Sequence, residues 1–354
     1  MEYLIEYGLF LAKTATIVIA IIAVLTVIIS ASGRGRRHAH KGSIHVTHLN
    51  DELDDLRDSV KEVVLDRHAW KLLQKLERKN EKKEDKAKRK SIAGKTELDQ
   101  DRRKRVYVLS FDGDMAASEV ESLRQEITAV LSMAEPTDEV MVRLESPGGM
   151  VHAYGLASSQ LLRIKEQKIS LTICVDKVAA SGGYMMACLA DRLVAAPFAI
   201  LGSIGVLVQL PNFHRVLKKH EVDYETISAG EFKTTLTTFG EITQKGRDKV
   251  KEDVEEMHDL FKQWVKQHRP VVAIDEIATG ETWVGLQAKE RNMIDAISTS
   301  DECIIAACEE ADVYEVRYEI RKTLSDKLGV VLQGTVDRTV MALWKRVRES
   351  RYYS

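Results

Sequence analysis

Two strand-like segments of the chain each lead into a pair of glycines, and this arrangement limits the possible folds more than any other feature. Residues 139–145 are followed by Ser-Pro-Gly-Gly at 146–149, and residues 171–175 are followed, after a run of mostly small residues, by Ser-Gly-Gly at 181–183. The apolar run at 171–175 is typical of a strand that is covered on both faces in a parallel sheet, and residues 139–145 also have the pattern of a strand. Because crossovers bring the carboxyl ends of neighbouring parallel strands to one edge, we expect both glycine turns to line one pocket.

Strand and helix patterns alternate from Arg105 onward, which predicts an α/β domain with a mainly parallel sheet. The predicted strands cover residues 106–111, 140–144, 170–175 and 192–197, and the predicted helices cover 117–133, 153–166 and 243–268. A short apolar helix is predicted to start at Ser181, and because it is too short to span a membrane we interpret it as a buried core helix. The apolar stripe of the 243–268 helix predicts packing or subunit contact rather than a cofactor site.

The chain divides into four predicted parts. These are a membrane anchor with a basic flank at 1–40, a charged and largely helical linker at 41–104, the folded domain at 105–300 and a helical extension at 301–354. The anchor is predicted from residues 14–31, which carry no charge and are long enough to cross a hydrocarbon core of about 30 Å. A cleaved signal peptide is the alternative, although the apolar run is longer than usual and the leading segment carries Glu2 and Glu6.

The distribution of charge bears on location and on partners. The predicted span is followed by Arg34, Arg36, Arg37 and Lys41, and by the positive-inside rule these residues predict a cytoplasmic domain. The basic tract at 75–90 is interpreted as a solvated helix or linker, with attraction to anionic lipid headgroups as the alternative. Since the net charge is −2, the whole chain is not expected to bind nucleic acid.

Ser181 is the candidate nucleophile of the sequence. Glycine lets the backbone approach a substrate carbonyl closely, and N–H groups at the start of a helix stabilise an oxyanion. The N–H groups near Gly182 and Gly149 are therefore candidates for an oxyanion hole. The alternative is that both glycine segments are ordinary turns or helix caps without a further role.

A serine hydroxyl is a weak nucleophile unless a base removes its proton. Histidine is the commonest general base, and His152 is the histidine that lies near the predicted pocket. The alternative base is a lysine made neutral by burial, and Lys233 fits because Phe232 and Phe239 could exclude water from its hydroxyl-rich segment. Ser203 could orient the amine. A lysine in a surface loop is the structural alternative.

Four ordered motifs resemble those of a known family: Ser-x-Gly-Gly after a strand, then AASGGYMMA, GSIGV and GEFKT. Over about residues 107–295 the chain resembles the signal peptide peptidase A family of membrane-bound serine proteases, peptidase family S49. The resemblance implies a ClpP/crotonase-like fold built from ββα repeats. It also implies Ser181 as nucleophile, Lys233 as general base, the Gly182 and Gly149 N–H groups as oxyanion hole, and Ser203 as the serine that holds the lysine.

The same resemblance implies a serine endopeptidase, without a cofactor or a metal, that cuts signal peptides or misfolded chains bound in extended form. It implies a homo-oligomeric ring or dome in which the lysine can reach the serine of an adjacent subunit. It also favours the bacterial inner membrane and a periplasmic domain, against the flanking arginines. Neither glycine motif suggests a deep side-chain pocket. Two alternatives stay open, a crotonase-type acyl-CoA enzyme, which would need carboxylates, and a non-catalytic membrane scaffold.

Overall fold

The computed structural model of the protein describes residues 42–73 and 102–319 and a few isolated positions before residue 84. The chain separates into two units, one made of Met1–Ser43 and Glu319–Ser354 and the other of Ile44–Tyr318, and the second carries the fold. Of the predicted span at 14–31, only Thr16 is described, so that prediction falls outside the described residues. Within the described part of the chain, none of the helices combines the length and the apolar character that crossing a membrane requires.

The bounds of the elements follow the hydrophobic patterns of the sequence. The strands are β1 Ser43–His48, β2 Arg105–Asp112, β3 Glu139–Glu145, β4 Ser170–Val175, β5 Val178–Ala180, β6 Arg192–Ala195, β7 Ile200–Gly202, β8 Thr282–Val284, β9 Ala296–Ile297 and β10 Asp312–Glu319. The helices are α1 Leu49–Val64, α2 Val120–Leu131, α3 Val151–Glu166, α4 Gly182–Ala187, α5 His214–Lys219, α6 Gln244–His268, α7 Ile274–Ile277, α8 Gly285–Glu290 and α9 Ser300–Glu310.

A large sheet in the described region has the strand order β1-β10-β2-β3-β4-β6-β9. From β10 to β9 every neighbouring pair is parallel, which confirms the predicted α/β class with a mainly parallel sheet. A smaller sheet has the order β5-β7-β8, with β5 and β7 parallel. Because β5 follows β4 after two residues, the smaller sheet starts at the carboxyl edge of the larger one, where the glycine turns lie.

Both faces of the large sheet are buried, as its continuous apolar strands require. One face packs against α2 and α3, with Leu109, Ile127 and Ile173 in a shared core. The other face packs against α9, where Met141 and Cys174 meet Cys303. The predictions that Cys174 and Cys188 are small core residues are confirmed, since both are buried free thiols.

The folded unit extends beyond both of its predicted boundaries. The segment predicted as a linker contributes β1 and α1, and the segment predicted as a helical extension contributes α9 but then turns into β10, between β1 and β2. The Asn50 side chain joins the two additions, since its amide donates to the carbonyls of Cys308 and Ala311 at 3.0 Å and accepts from Val313 N at 2.8 Å. These pairings connect residues more than 250 positions apart, so local pattern could not reveal them.

Glu126 of α2 supplies a test of the core. The residue is 5 % exposed, its Oε1 accepts a hydrogen bond from Tyr318 N at 2.8 Å, and burial raises the pKa of its carboxyl to about 7. A raised pKa means that the folded chain holds a proton which the unfolded chain releases, so stability falls as pH rises from about 4.5 to about 7. Glu126→Gln, which keeps the acceptor without the charge, is expected to stabilise the fold by about 2 kcal/mol at pH 8 and by little at pH 4.

Chemical denaturation of both chains across this pH range measures the difference. Glu121→Gln, on an exposed residue of the same helix, is the control. Equal effects of the Glu126 substitution at pH 4 and at pH 8 would contradict a buried carboxyl that titrates near neutrality.

Candidate active site

Ser181 occupies a strained turn between β5 and α4. Its backbone has φ 51° and ψ −118°, a region that side-chain-bearing residues rarely adopt and that costs about 1–3 kcal/mol. Hydrogen bonds hold the turn, since Ser181 N donates to Gly202 O at 2.7 Å and Ser181 O accepts from Met185 N at 3.0 Å. A strained strand-to-helix turn that presents a hydroxyl is the arrangement of a nucleophile elbow.

The two glycine turns meet at Ser181, as the sequence predicted. Gly148 has φ +89°, and a Cβ there would lie 2.7 Å from the Ser181 Cβ and 2.8 Å from Gly182 N. A Cβ on Gly182 would lie 2.4 Å from Cγ of the buried Tyr154 ring. Both positions therefore require glycine, because any side chain would separate the two turns.

Gly149 and Gly182 line the same cavity as Ser181. Among the described residues, neither N–H donates a hydrogen bond to protein. Gly149 is held against the backbone of Met115, whose carbonyl oxygen would be 2.2 Å from a Cβ on Gly149. Two free backbone donors beside a serine hydroxyl can stabilise negative charge that develops on a carbonyl oxygen.

A buried chain of hydrogen bonds supports the Gly148 turn from below. The Tyr154 hydroxyl donates to Asp114 O at 2.8 Å, Ser146 Oγ bonds the Tyr154 oxygen, and Gly148 N donates to Ser146 Oγ at 3.1 Å. Burial raises the pKa of Tyr154, which keeps its proton on the phenol for this network. Sequence reasoning did not identify Tyr154, because its role depends on α3 packing beneath the turn.

Two cavities open on Ser181. The first, of about 370 Å³, is mainly apolar, and we call it the apolar pocket; its walls include Met185, Met257, Leu260, Phe261 and Trp264. The second, of about 740 Å³, we call the groove; it is lined by both glycine turns and by residues 203, 205–207, 258, 279 and 280. Neither glycine motif indicated this apolar pocket in the sequence. The pocket is formed by α6, which packs beside α4 from a distant part of the sequence.

Ser203 and Lys233 differ in their placement. Ser203 has φ 51°, its N–H donates to Glu281 O at 2.6 Å, and it lines the groove together with Ser181. Lys233 is exposed and does not line either cavity. Within one chain, the structure thus brings Ser181, Gly182, Gly149 and Ser203 together and leaves Lys233 apart from them.

The segment that carries Lys233 is attached to the start of α6. Glu231 forms an ion pair with Lys245, and the ammonium groups of Lys245 and Lys249 lie 5.6 Å and 5.9 Å from the centre of the Phe232 ring. Phe232, which we expected to exclude water from the lysine, is itself 46 % exposed. The attachment presents Lys233 on the surface of the chain rather than in its own Ser181 site.

The histidines are placed differently from the sequence expectation. His152 is exposed at the start of α3 and does not line either cavity. His258, to which the sequence gave no role, lies on α6 and lines the groove. Among the described residues, no cluster of three or more His, Cys, Asp or Glu side chains is placed to hold a metal ion.

The family of the chain follows from comparison with known proteins. The model of the peptidase family S49 N-terminal domain matches residues 2–161, and that of peptidase family S49 matches residues 163–314. The chain belongs to peptidase family S49. The second match contains Ser181, Ser203 and Lys233, and the first contains Gly149, so the family models cover every residue of the predicted site.

Two of the similar proteins align along most of the chain. A Haemophilus influenzae protein named "Probable protease SohB" is 46 % identical over 328 residues, which is 93 % of this chain and 92 % of that protein. A Buchnera aphidicola protein of the same name is 41 % identical over 308 residues, or 86 % of this chain and 100 % of that one. A shorter match to "Protease 4" of Haemophilus influenzae is 27 % identical over 167 residues, covering 47 % of this chain and 27 % of that protein. All three names describe proteases.

Proposed function

We propose that this S49 chain is a serine endopeptidase in which Ser181 attacks a peptide carbonyl after Lys233 accepts its proton. The observation that carries the proposal is the strained Ser181 turn, open to two cavities and flanked by two free glycine amides. Attack forms a bond between Ser181 Oγ and the carbonyl carbon, and the oxyanion binds the Gly182 and Gly149 N–H groups. The amine of the substrate leaves with the proton, and water then hydrolyses the acyl-enzyme.

The base reaches the serine from an adjacent copy of the chain in this mechanism. Support comes from the exposure of Lys233 and from the apolar surface of its segment, which suits burial against a second copy. Large apolar side chains are exposed there at Leu207, Val208, Leu210, Phe213, Val216, Val222, Tyr224, Ile227, Phe232 and Phe239. Contact with a second copy would remove water from Lys233 and favour the neutral amine that a base requires, with Ser203 as its hydrogen-bond partner. The active form is thus a homo-oligomer.

The apolar pocket suggests the substrate class. Its walls fit an apolar side chain beside the scissile bond, and this suits signal peptides and misfolded or membrane-associated polypeptides bound in extended form. The uncharged run at 14–31 supports an anchor in a bacterial inner membrane. The family resemblance, against the flanking arginines, favours a domain on the periplasmic side. Two strands that follow each other closely occur twice along the chain, as β4 with β5 and as β6 with β7, and helix α4 follows the first pair. This order supports a fold of the ClpP/crotonase type, which is built from ββα repeats.

Lys233→Arg tests the proposed base. Arginine keeps the positive charge and the length of the side chain but does not lose its proton at working pH, so we expect no detectable hydrolysis of a fluorogenic peptide by the purified full chain. Mixing and co-refolding this variant with Ser181→Ala should restore about a quarter of the wild-type activity, because one interface in four then pairs an intact serine with an intact lysine. A Lys233→Arg chain that cleaves peptides alone would refute the lysine base, and unchanged inactivity after mixing would place both groups in one chain.

A further inference from the structure

His258 differs from the other described residues that line the two cavities because its side chain is the only titratable one. It lies on α6, one residue after Met257 of the apolar pocket, and shares the groove with Ser181 and Ser203. Its Nε2 atom is shielded from water, and it has no hydrogen-bond partner among the described residues. The residue as a whole is partly exposed, so the imidazole stands in the wall of the groove rather than in the core.

A shielded nitrogen without a partner is unfavourable by about 1–3 kcal/mol, and native structures contain few such groups. His258 is set apart from the other shielded and unpartnered side chains by its place in the lining of the groove, so a ligand that lies there can supply the missing partner. Because Nε2 is shielded in the free chain, bonding such a ligand requires the imidazole to turn about its last side-chain torsion, and rotation about this torsion is inexpensive.

We infer that His258 binds the substrate, through a hydrogen bond from its Nε2 to the main chain of a peptide lying in the groove. The main chain is the appropriate partner because an extended peptide presents an N–H and a C=O at every residue, whatever its sequence. The apolar pocket then selects the side chain, and His258 sets the position of the backbone relative to Ser181. This inference rests on the proposed function only in taking a peptide as the ligand.

Binding can be measured separately from catalysis. In the Ser181→Ala background no acyl-enzyme forms, so the Kd of a short fluorescein-labelled peptide of alanine and leucine is obtained by anisotropy on the full chain. Adding His258→Asn, whose amide nitrogen replaces Nδ1 rather than Nε2, is expected to weaken binding about tenfold. Adding His258→Gln, whose amide nitrogen reaches the position of Nε2, is expected to recover most of the affinity. His152→Asn, on an exposed histidine outside both cavities, is the matched control.

Kinetics with Ser181 intact give the second readout. His258→Asn should raise KM about tenfold with little change in kcat, and a small fluorophosphonate should label Ser181 at the wild-type rate. A peptide with one amide replaced by an ester, whose carbonyl oxygen is a weaker hydrogen-bond acceptor, should bind the wild type more weakly at one position. It should lose that difference in His258→Asn, which identifies the bonded carbonyl.

An unchanged Kd in His258→Asn would overturn the inference. So would slower labelling of Ser181, which would make His258 a base, or a changed oligomeric mass, which would make it a subunit contact. Failure of the proposed function looks different: the wild type would neither hydrolyse the peptide nor react with the fluorophosphonate, while the Kd comparison would still report on His258.

Discussion

Ser181→Ala is expected to lower peptide hydrolysis by a factor of about 10⁴ or more and to abolish labelling by a fluorophosphonate. The hydroxyl is the only part of the residue that the substitution removes, and the turn keeps its two backbone hydrogen bonds, from Ser181 N to Gly202 O and from Met185 N to Ser181 O. The fold should therefore remain intact. Activity assays and mass spectrometry of the labelled protein measure the two losses.

Ser181→Gly separates the loss of the nucleophilic hydroxyl from the effect of the strained backbone at this position. Because φ 51° is easily adopted by glycine, this variant should be equally inactive but more stable than the alanine variant by about 1 kcal/mol. A hydroxyl kept at a destabilised position is the pattern expected of a functional residue. Full cellular function of Ser181→Ala would instead favour the non-catalytic scaffold, and labelling at another serine would exclude Ser181 as the nucleophile.

The second large effect is expected at Gly149. In Gly149→Ala the new Cβ would lie 2.2 Å from the carbonyl oxygen of Met115 and 2.7 Å from its carbonyl carbon, so the backbone must move. Movement takes the Gly149 N–H away from the oxyanion, and loss of one such donor lowers kcat by about 10²–10³. Because the clash is with backbone, no rotamer change relieves it, and the melting temperature should also fall.

Steady-state kinetics with a fluorogenic peptide test this result, and Gly155→Ala supplies the comparison for stability. A Cβ on Gly155, in the middle of α3, meets no atom within 4 Å, so alanine there should stabilise the helix by up to about 1 kcal/mol. Wild-type kcat in Gly149→Ala would show that the Gly149 amide is not a donor to the transition state.

The elements of the central sheet could be predicted because each carries its own signal. The run at 170–175 is mainly apolar, and β4 has these same bounds. Strand β10 alternates apolar and polar residues, contains a smaller fraction of apolar residues than β4 and directly follows a helix. Nothing in its local sequence therefore indicates that it pairs with β2 in parallel. That pairing depends on contacts between Asp312 and Arg105 and their neighbours, which are far apart in the sequence.

The amino-acid sequence by itself determined the α/β class and the two glycine turns, because buried strands and close backbone approach each require particular residues at particular positions. Only the tertiary structure decided that α6 forms an apolar pocket beside Ser181, that His258 faces the groove, and that Lys233 is exposed in a single chain. The physical reason is that a turn or a strand is specified by neighbouring residues, whereas a cavity is formed by side chains from separate elements and exists only after they pack.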